Sequence, residues 1–241
     1  ADGVGKILQH RKVARRPLGD RNVDAPVLRL GEATARFLTK ARHRLAVAQK
    51  GQAPPIHAEQ AVFPRDQEQV FARLAPLPEA GGLLMFRTEV PQEIYQRVMN
   101  TNPSRQAGRG LPVDSVSRLE AQEFCERLTW LLGLRVRLPS EAEFRSGWKA
   151  DVEGAWSADN SGGRSRETGT SPPSDAGFFD LAGNLAEWLQ PPSAAGEIAP
   201  VAGGSYLDAA AALKTVKLAS EEKRERARHS GFRVVVEPGA N

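Results

Sequence analysis

Apolar residues recur at helical spacing at Ala33, Phe37, Ala41, Leu45 and Ala48, with basic residues between them, and predict an amphipathic helix over about 32–50. The Gly-Gln-Ala-Pro-Pro stretch at 51–55 ends it, and the prolines of 76–78 and glycines of 81–82 break the chain again. Beyond them Leu83-Leu84-Met85-Phe86 reads as a short strand. Pro91 can start a helix on which Ile94, Tyr95, Val98 and Met99 share one face. Residues 100–110 read as loop. Ser117-Arg118-Leu119-Glu120 is a capping box: the serine satisfies a free amide of the first turn while the glutamate reaches back. The helix it opens carries Ala121, Phe124, Cys125, Leu128 and Leu131 on one face and stops at Gly133. A second capping box, Ser140 to Glu143, opens a shorter helix bearing Phe144 and Trp148. From 151 to 174 the chain is rich in Gly, Ser, Asn, Thr and Pro, as an ordered loop would be. Phe232 to Val236 reads as a strand, and the charged run Glu221 to Arg228 as a solvated loop or helical turn.

Two helices followed by loops and short strands define an α+β pattern. At 241 residues the chain suffices for one domain with a substantial core plus an extension, divided here into an arm, 1–55, and a domain, 56–241. Charge sharpens that division. Residues 1–52 hold 12 Lys and Arg against 4 Asp and Glu, and the remainder 21 against 25. A basic arm of this kind can meet nucleic acid or an acidic partner. It lacks the interleaved aromatics that stack on bases, so nucleic acid is the weaker reading and a solvated arm, or one folded onto its own acidic domain, the stronger. No apolar run approaches the roughly 20 residues of a membrane span, which predicts a soluble chain. The first residue is Ala1 rather than Met, as in a processed chain or a segment of a longer one, and composition assigns no compartment. A lone cysteine, Cys125, excludes an internal disulfide and a multi-cysteine zinc site, and its place on a helix face makes it a small core residue.

Four ordered segments carry a resemblance. Glu89-Val90 through Tyr95, with Val98-Met99 and Asn102-Pro103-Ser104, comes first. Next are Leu111-Pro112-Val113 through Ser117 with Ala121, Phe124 and Cys125, ending in Arg137-Leu138-Pro139-Ser140-Glu141-Ala142-Glu143-Phe144. Asp180-Leu181-Ala182-Gly183-Asn184-Leu185-Ala186-Glu187-Trp188 is third, and Gly203-Gly204-Ser205-Tyr206 with Gly231-Phe232-Arg233 fourth. Together they resemble the formylglycine-generating-enzyme, or sulfatase-modifying-factor, family, over about 85–236. The resemblance implies a C-type-lectin-like α+β fold, loop-rich, with two main helices and short antiparallel strands. In its second segment Arg137, Glu141 and Glu143 are placed to form polar pairs that pin the short helix. Catalysis by Glu141 and Glu143 is disfavoured, because residues two apart on a helix point to different faces.

Family members that oxidise a substrate cysteine bind copper through two cysteines, since soft thiolates hold Cu(I). The equivalent positions here fall at Leu213 and Leu218, so no copper site of that kind and no formylglycine-generating activity are expected. A tryptophan near the family's reaction pocket is replaced by Ala186, and the arginine before Gly203-Gly204-Ser205 by Ala202. His229 stands beside the Gly-Phe-Arg segment. His10, His43 and His57 lack the spacing of the iron site in the related sulfoxide synthases. Gly203-Gly204-Ser205 matches neither a phosphate loop nor a nucleophile elbow.

The resemblance also implies structural calcium on side-chain oxygens of Asp180 and Glu187 and carbonyls of Gly183 and Leu185. A purely structural alternative stays open: Asp180 and Asn184 hold a turn by side-chain bonds to the backbone, and Glu187 pairs with a basic residue. Taken together, the sequence predicts a non-catalytic domain that binds a protein or small ligand through loops 151–178 and 207–230. By resemblance it would sit in a larger bacterial signalling protein, docked through helix 32–50. The alternative is a copper-independent enzyme modifying a peptide or peptide-derived natural product.

Overall fold

The computed structural model describes residues 69–148, 153–191, 198–216, 218–222 and 224–237. The predicted helix over 32–50 and the boundary at 55 lie outside them. Among the described residues, two four-stranded sheets, three α-helices of seven residues or more and a helical turn at 69–71 make up the α+β fold expected from the sequence.

The first sheet runs β1 (Leu74–Pro76), β2 (Leu84–Phe86), β8 (Val235–Val236), β3 (Val136–Arg137), all antiparallel. Of the prolines and glycines read as a chain break, Pro76 ends β1, and Pro78, Gly81 and Gly82 lie in the turn of the β1–β2 hairpin, closed by the Leu77 amide on the Leu83 carbonyl. Helix α1 (Gln92–Met99) starts at Pro91 and ends on Asn100 in the left-handed conformation, φ 60°. Helix α2 (Arg118–Leu132) has the full capping box, Ser117 accepting from the Glu120 amide and Glu120 from the Ser117 amide, and stops at Gly133, φ 64°. Its buried face ends at Leu132, with Leu131 only partly buried, because the last turn brings Leu132 over the sheet. Helix α3 (Glu141–Gly147) has the second capping box.

The second sheet runs β6 (Leu218–Glu222), β5 (Ile198–Ala202), β4 (Ala186–Trp188), β7 (Ser230–Gly231). Its β4–β7 pair is parallel, a departure from the all-antiparallel expectation. Part of the charged run, Glu221 and Glu222, belongs to β6, whose antiparallel ladder with β5 absorbs it. Of the predicted strand Phe232 to Val236 only Val235–Val236 is ladder-paired, as β8, and β7 precedes it. Residues 230–236 form one extended segment that changes sheets, with β7 in the second and β8 in the first. Between them the carbonyls of Phe232 and Val234 still accept from the amides of Val90 and Phe86. Phe232, Val234 and Val236 enter one apolar cluster and Val235 another, the alternation of an extended chain buried on both faces.

The main core lies between α1, α2 and the sheets. Tyr95 and Phe124 stack at 5.6 Å, and Phe232 meets both edge-on. Trp188, fully buried, donates its indole N–H to the Val116 carbonyl at 2.8 Å, joining β4 to the entrance of α2. Arg137 is shared by Glu143 and Glu237, with contacts of 2.6–2.7 Å, and so locks α3 to the end of β8. Glu141 takes no part in that lock and pairs at the surface with Arg145.

Because Ser117 satisfies an amide at the mouth of a 15-residue helix, Ser117→Ala should lower unfolding free energy by about 1 kcal/mol with an unchanged denaturant slope. A denaturation titration showing no loss would mean that another group caps α2.

Candidate functional site

Strand β4 divides the candidate site residues between two environments. Glu187 points into a buried ionic centre, and its neighbour Ala186 lines a cavity.

At the buried centre both Glu187 and Arg233 are 0% exposed. Arg233 donates through Nε and Nη2 to the two Glu187 oxygens, each at 2.6 Å, and its remaining donors reach the carbonyls of Phe86, Arg87 and Phe179. Two more carboxyls stand nearby. Asp180 accepts from the Gly169 amide through Oδ2, while its Oδ1 and both oxygens of fully buried Glu89 meet no donor. Burial, then the charges of Asp180 and Glu187, push the Glu89 carboxyl well above the ordinary carboxylate range, which favours its neutral form. Burial also raises Asp180 and Glu187, with Arg233 opposing.

Gly183 and Asn184 hold the loop over 156–166 against this centre. A Cβ on Gly183 would lie 2.1 Å from the Trp156 carbonyl oxygen, and its φ of +74° suits glycine alone. Asn184 accepts from the Arg166 amide and donates to the Arg166 carbonyl, while its own amide meets Trp156.

A calcium ion on Asp180, Glu187 and the carbonyls of Gly183 and Leu185 would have to share Glu187 with a guanidinium that already engages both of its oxygens. Among the described residues no three His, Cys, Asp or Glu are grouped to hold a metal. As arranged, this set does not fit the ion.

Above Ala186 lies a cavity of about 150 Å³, walled by Ala186, Val201, Leu207 and Ala219 and edged by Ser205, Asp208, Glu221 and His229. Its polar groups come from three segments. Ser205 and Asp208 form a tight turn in which Asp208 accepts from the Ser205 amide at 2.8 Å. Glu221 on β6 accepts from the Ser230 hydroxyl at 2.9 and 3.1 Å, and His229 Nε2 stands 3.4 Å from Glu221. That hydrogen bond, reinforced by the charges of Glu221, Glu225 and Asp208, raises the His229 pKa against the opposing effect of burial. Sequence reading singled out Ala186 and His229 but missed Glu221 and Asp208, because only the strand pairing of β5 with β6 carries Glu221 to His229.

Neither Leu213 nor Leu218, the positions that the resemblance equates with copper ligands, lines this cavity. Leu213 closes a short 3-10 turn (Ala210–Leu213) and is fully buried in a small cluster with Ala155 and Ala182. Leu218 is 39% exposed at the start of β6. Cys125, the chain's one thiol, is buried on α2, and burial pushes its pKa up. A cysteine pair for copper cannot form.

These features define a lectin-like α+β scaffold, organised around an internal glutamate–arginine pair, that presents a small polar-edged cavity and lacks a thiolate metal site. The model of the Sulfatase-modifying factor enzyme 1-like domain matches residues 33–238, and the chain belongs to that family. Among solved structures, Treponema denticola variable protein 1 superposes with a TM-score of 0.58 at 23% identity, covering 69% of this chain and 91% of the other. PvdO from Pseudomonas aeruginosa superposes at 0.56 and 18% identity, covering 64% and 80%. Both likenesses concern the fold. No curated protein sequence matches the chain. No described helix is long and apolar enough to cross a membrane.

Glu89 gives the buried centre a pH signature. A carboxyl raised by burial contributes stability that is complete below its ordinary value of 4.5 and lost as pH climbs through its folded value. Glu89→Gln keeps the shape without the charge. Thermal unfolding should find it as stable as the native chain at about pH 4 and more stable at about pH 8. A variant that is less stable at the higher pH would mean that Glu89 is ionised and paired.

Proposed function

We propose that this chain is a copper-independent, non-catalytic member of its family that binds a protein or small ligand, with the cavity beside Ala186 as the contact point. The observation that supports this most is the position of that cavity. It opens where the family resemblance puts a large ring near the reaction pocket, and here the residue is alanine. Leu207, Asp208, Ala219, Glu221 and His229 all come from the span 207–230, Ala219 and Glu221 on its strand β6. Loops 151–178 contribute a second exposed surface for a protein partner, around Pro172 and Pro173. The amphipathic helix that the sequence predicts over about 32–50, as a docking element within a larger signalling protein, belongs to the same reading.

A specific observation favours a second reading, an enzyme acting on a peptide or peptide-derived product without copper. An imidazole hydrogen-bonded to a carboxylate inside a cavity is an arrangement suited to proton transfer. Incubation with peptides separates the two: a peptide returned chemically altered supports the enzyme reading, and one that shifts the cavity signals but is recovered unchanged supports the binding domain.

Ala219 is exposed on β6 and walls the cavity, so Ala219→Phe should plug it without disturbing the core. In a fragment screen read by protein NMR, ligands that shift the amides of Ala186 and His229 in the native chain should lose that effect in the variant. Ligands that bind both proteins equally would place recognition elsewhere.

A further inference from the structure

We propose that the groove between α2 and β3 is a second contact surface, one that docks an extended peptide segment of a partner through an acidic side chain on Arg118 and a basic side chain, about four residues along, on Glu126. The groove holds about 750 Å³ and shares no lining residue with the cavity beside Ala186, so this inference stands apart from the reading above. Its volume lies within the roughly 300–1,000 Å³ of ligand-binding clefts and exceeds what one side chain fills. Along α2 it runs from Arg118 to Thr129, a length of about 16 Å at about 1.5 Å per residue. An extended segment of about five residues, at about 3.3 Å each, covers it.

Charge along the groove is ordered. Arg118 Nη1 donates to the Gln122 side-chain oxygen at 3.2 Å, and the Gln122 side-chain nitrogen donates to Glu126 Oε1 at 3.0 Å. A neutral amide thus holds a guanidinium at one end and a carboxylate at the other, about 12 Å apart along the helix. Neither charge has an ion-pair partner among the described residues, and Arg118 Nε meets no acceptor. The other two arginines of the groove are already committed: Arg137 to Glu143 and Glu237, and Arg135, at 3.3 Å, to Glu237. Recognition by charge therefore falls to Arg118 and Glu126. In an extended chain residues four apart share a face at about 13 Å, which matches their spacing.

Main-chain pairing does not supply the contact. Strand β3 ends its sheet, but Thr129 Oγ1 accepts from the Val136 amide at 2.8 Å and donates to the Val136 carbonyl at 3.2 Å, which closes that edge to strand addition. Side chains do the work, with Leu119, Leu138 and Pro191 offering apolar contact beside the charges. The charge pattern also excludes two other occupants. Residues 1–52, with 12 Lys and Arg against 4 Asp and Glu, would bring mostly like charge to Arg118. A nucleic-acid strand would set phosphates against Glu126 as well as Arg118, with the remaining arginines spent.

The test uses the full chain and four blocked heptapeptides, Ala-X-Ala-Val-Ala-Z-Ala, titrated while the backbone amide signals of Gln122, Glu126 and Leu138 are followed by NMR. X and Z are glutamate and lysine, two glutamates, two lysines or two glutamines. The glutamate–lysine peptide should bind about five-fold more tightly than the glutamine peptide, as two partly exposed ion pairs imply, and more tightly than either like-charged one. Arg118→Gln and Glu126→Gln, shown folded by their melting temperatures, should each remove most of that preference, while Ala219→Phe at the other cavity should leave it unchanged. Equal binding of the four peptides, tightest binding of a like-charged one, or groove signals that none of them moves would overturn the assignment. None of those results bears on the cavity beside Ala186, whose own signals report on it separately.

Discussion

The contact on which the rest of the structure depends is the buried pair of Glu187 and Arg233. All five guanidinium donors are engaged: two on Glu187, and three on carbonyls of Phe86, Arg87 and Phe179. One side chain thereby joins the end of β2, the loop before β4, β4 itself and the segment that passes from β7 to β8. Burying two charges is costly, and it is tolerable here because the geometry is bidentate and no donor of the cation is left over. The pair sits where the two sheets hand over the same extended segment, so it fixes their junction. Burial and the neighbouring carboxylates raise the Glu89 pKa, which disfavours a further uncompensated negative charge at the centre.

The pair also shows how strand β4 can hold the junction and line a cavity at once. Adjacent residues of a strand point to opposite faces. Glu187 is committed to the interior, and Ala186 beside it is free of that duty. A large ring can be exchanged for a methyl group there, opening a cavity, while the junction one residue away is untouched. Leu213, which the family resemblance equates with a copper-ligand position, is part of an apolar cluster apart from the cavity. The ionic junction and the cavity are thus one residue apart on β4.

Local chemistry made much of this legible in the sequence. Both capping boxes, the α1 face with its proline start, and Gly133 as the stop of α2 are short-range signals, and the structure has them where the sequence puts them. Long-range pairing was not legible. The split of 230–236 between two sheets, the parallel β4–β7 contact and the inclusion of Glu221 in β6 depend on partners far away in the chain. The cavity inherits that limit: Ala186 and His229 stood out through their motifs, whereas Asp208 and Glu221 look like ordinary surface acids until folding brings them together. Asp180 and Glu187 show a subtler case. Their oxygens read equally well as calcium ligands or as structural partners, and Arg233, 46 residues beyond Glu187, decides for Glu187.

The most direct test of this account is a double-mutant cycle on the buried pair, using Glu187→Met, Arg233→Met and the double variant in denaturant titrations. Each single change strands a buried charge and should cost about 3–5 kcal/mol. The double change should cost clearly less than their sum, with a coupling energy of about 3 kcal/mol, at the upper end for contacting residues. If a single variant is too unstable to measure, Glu187→Gln and Arg233→Lys supply a milder cycle. A coupling near zero would contradict the account, because the two residues would then not be acting through one another to hold the sheets together.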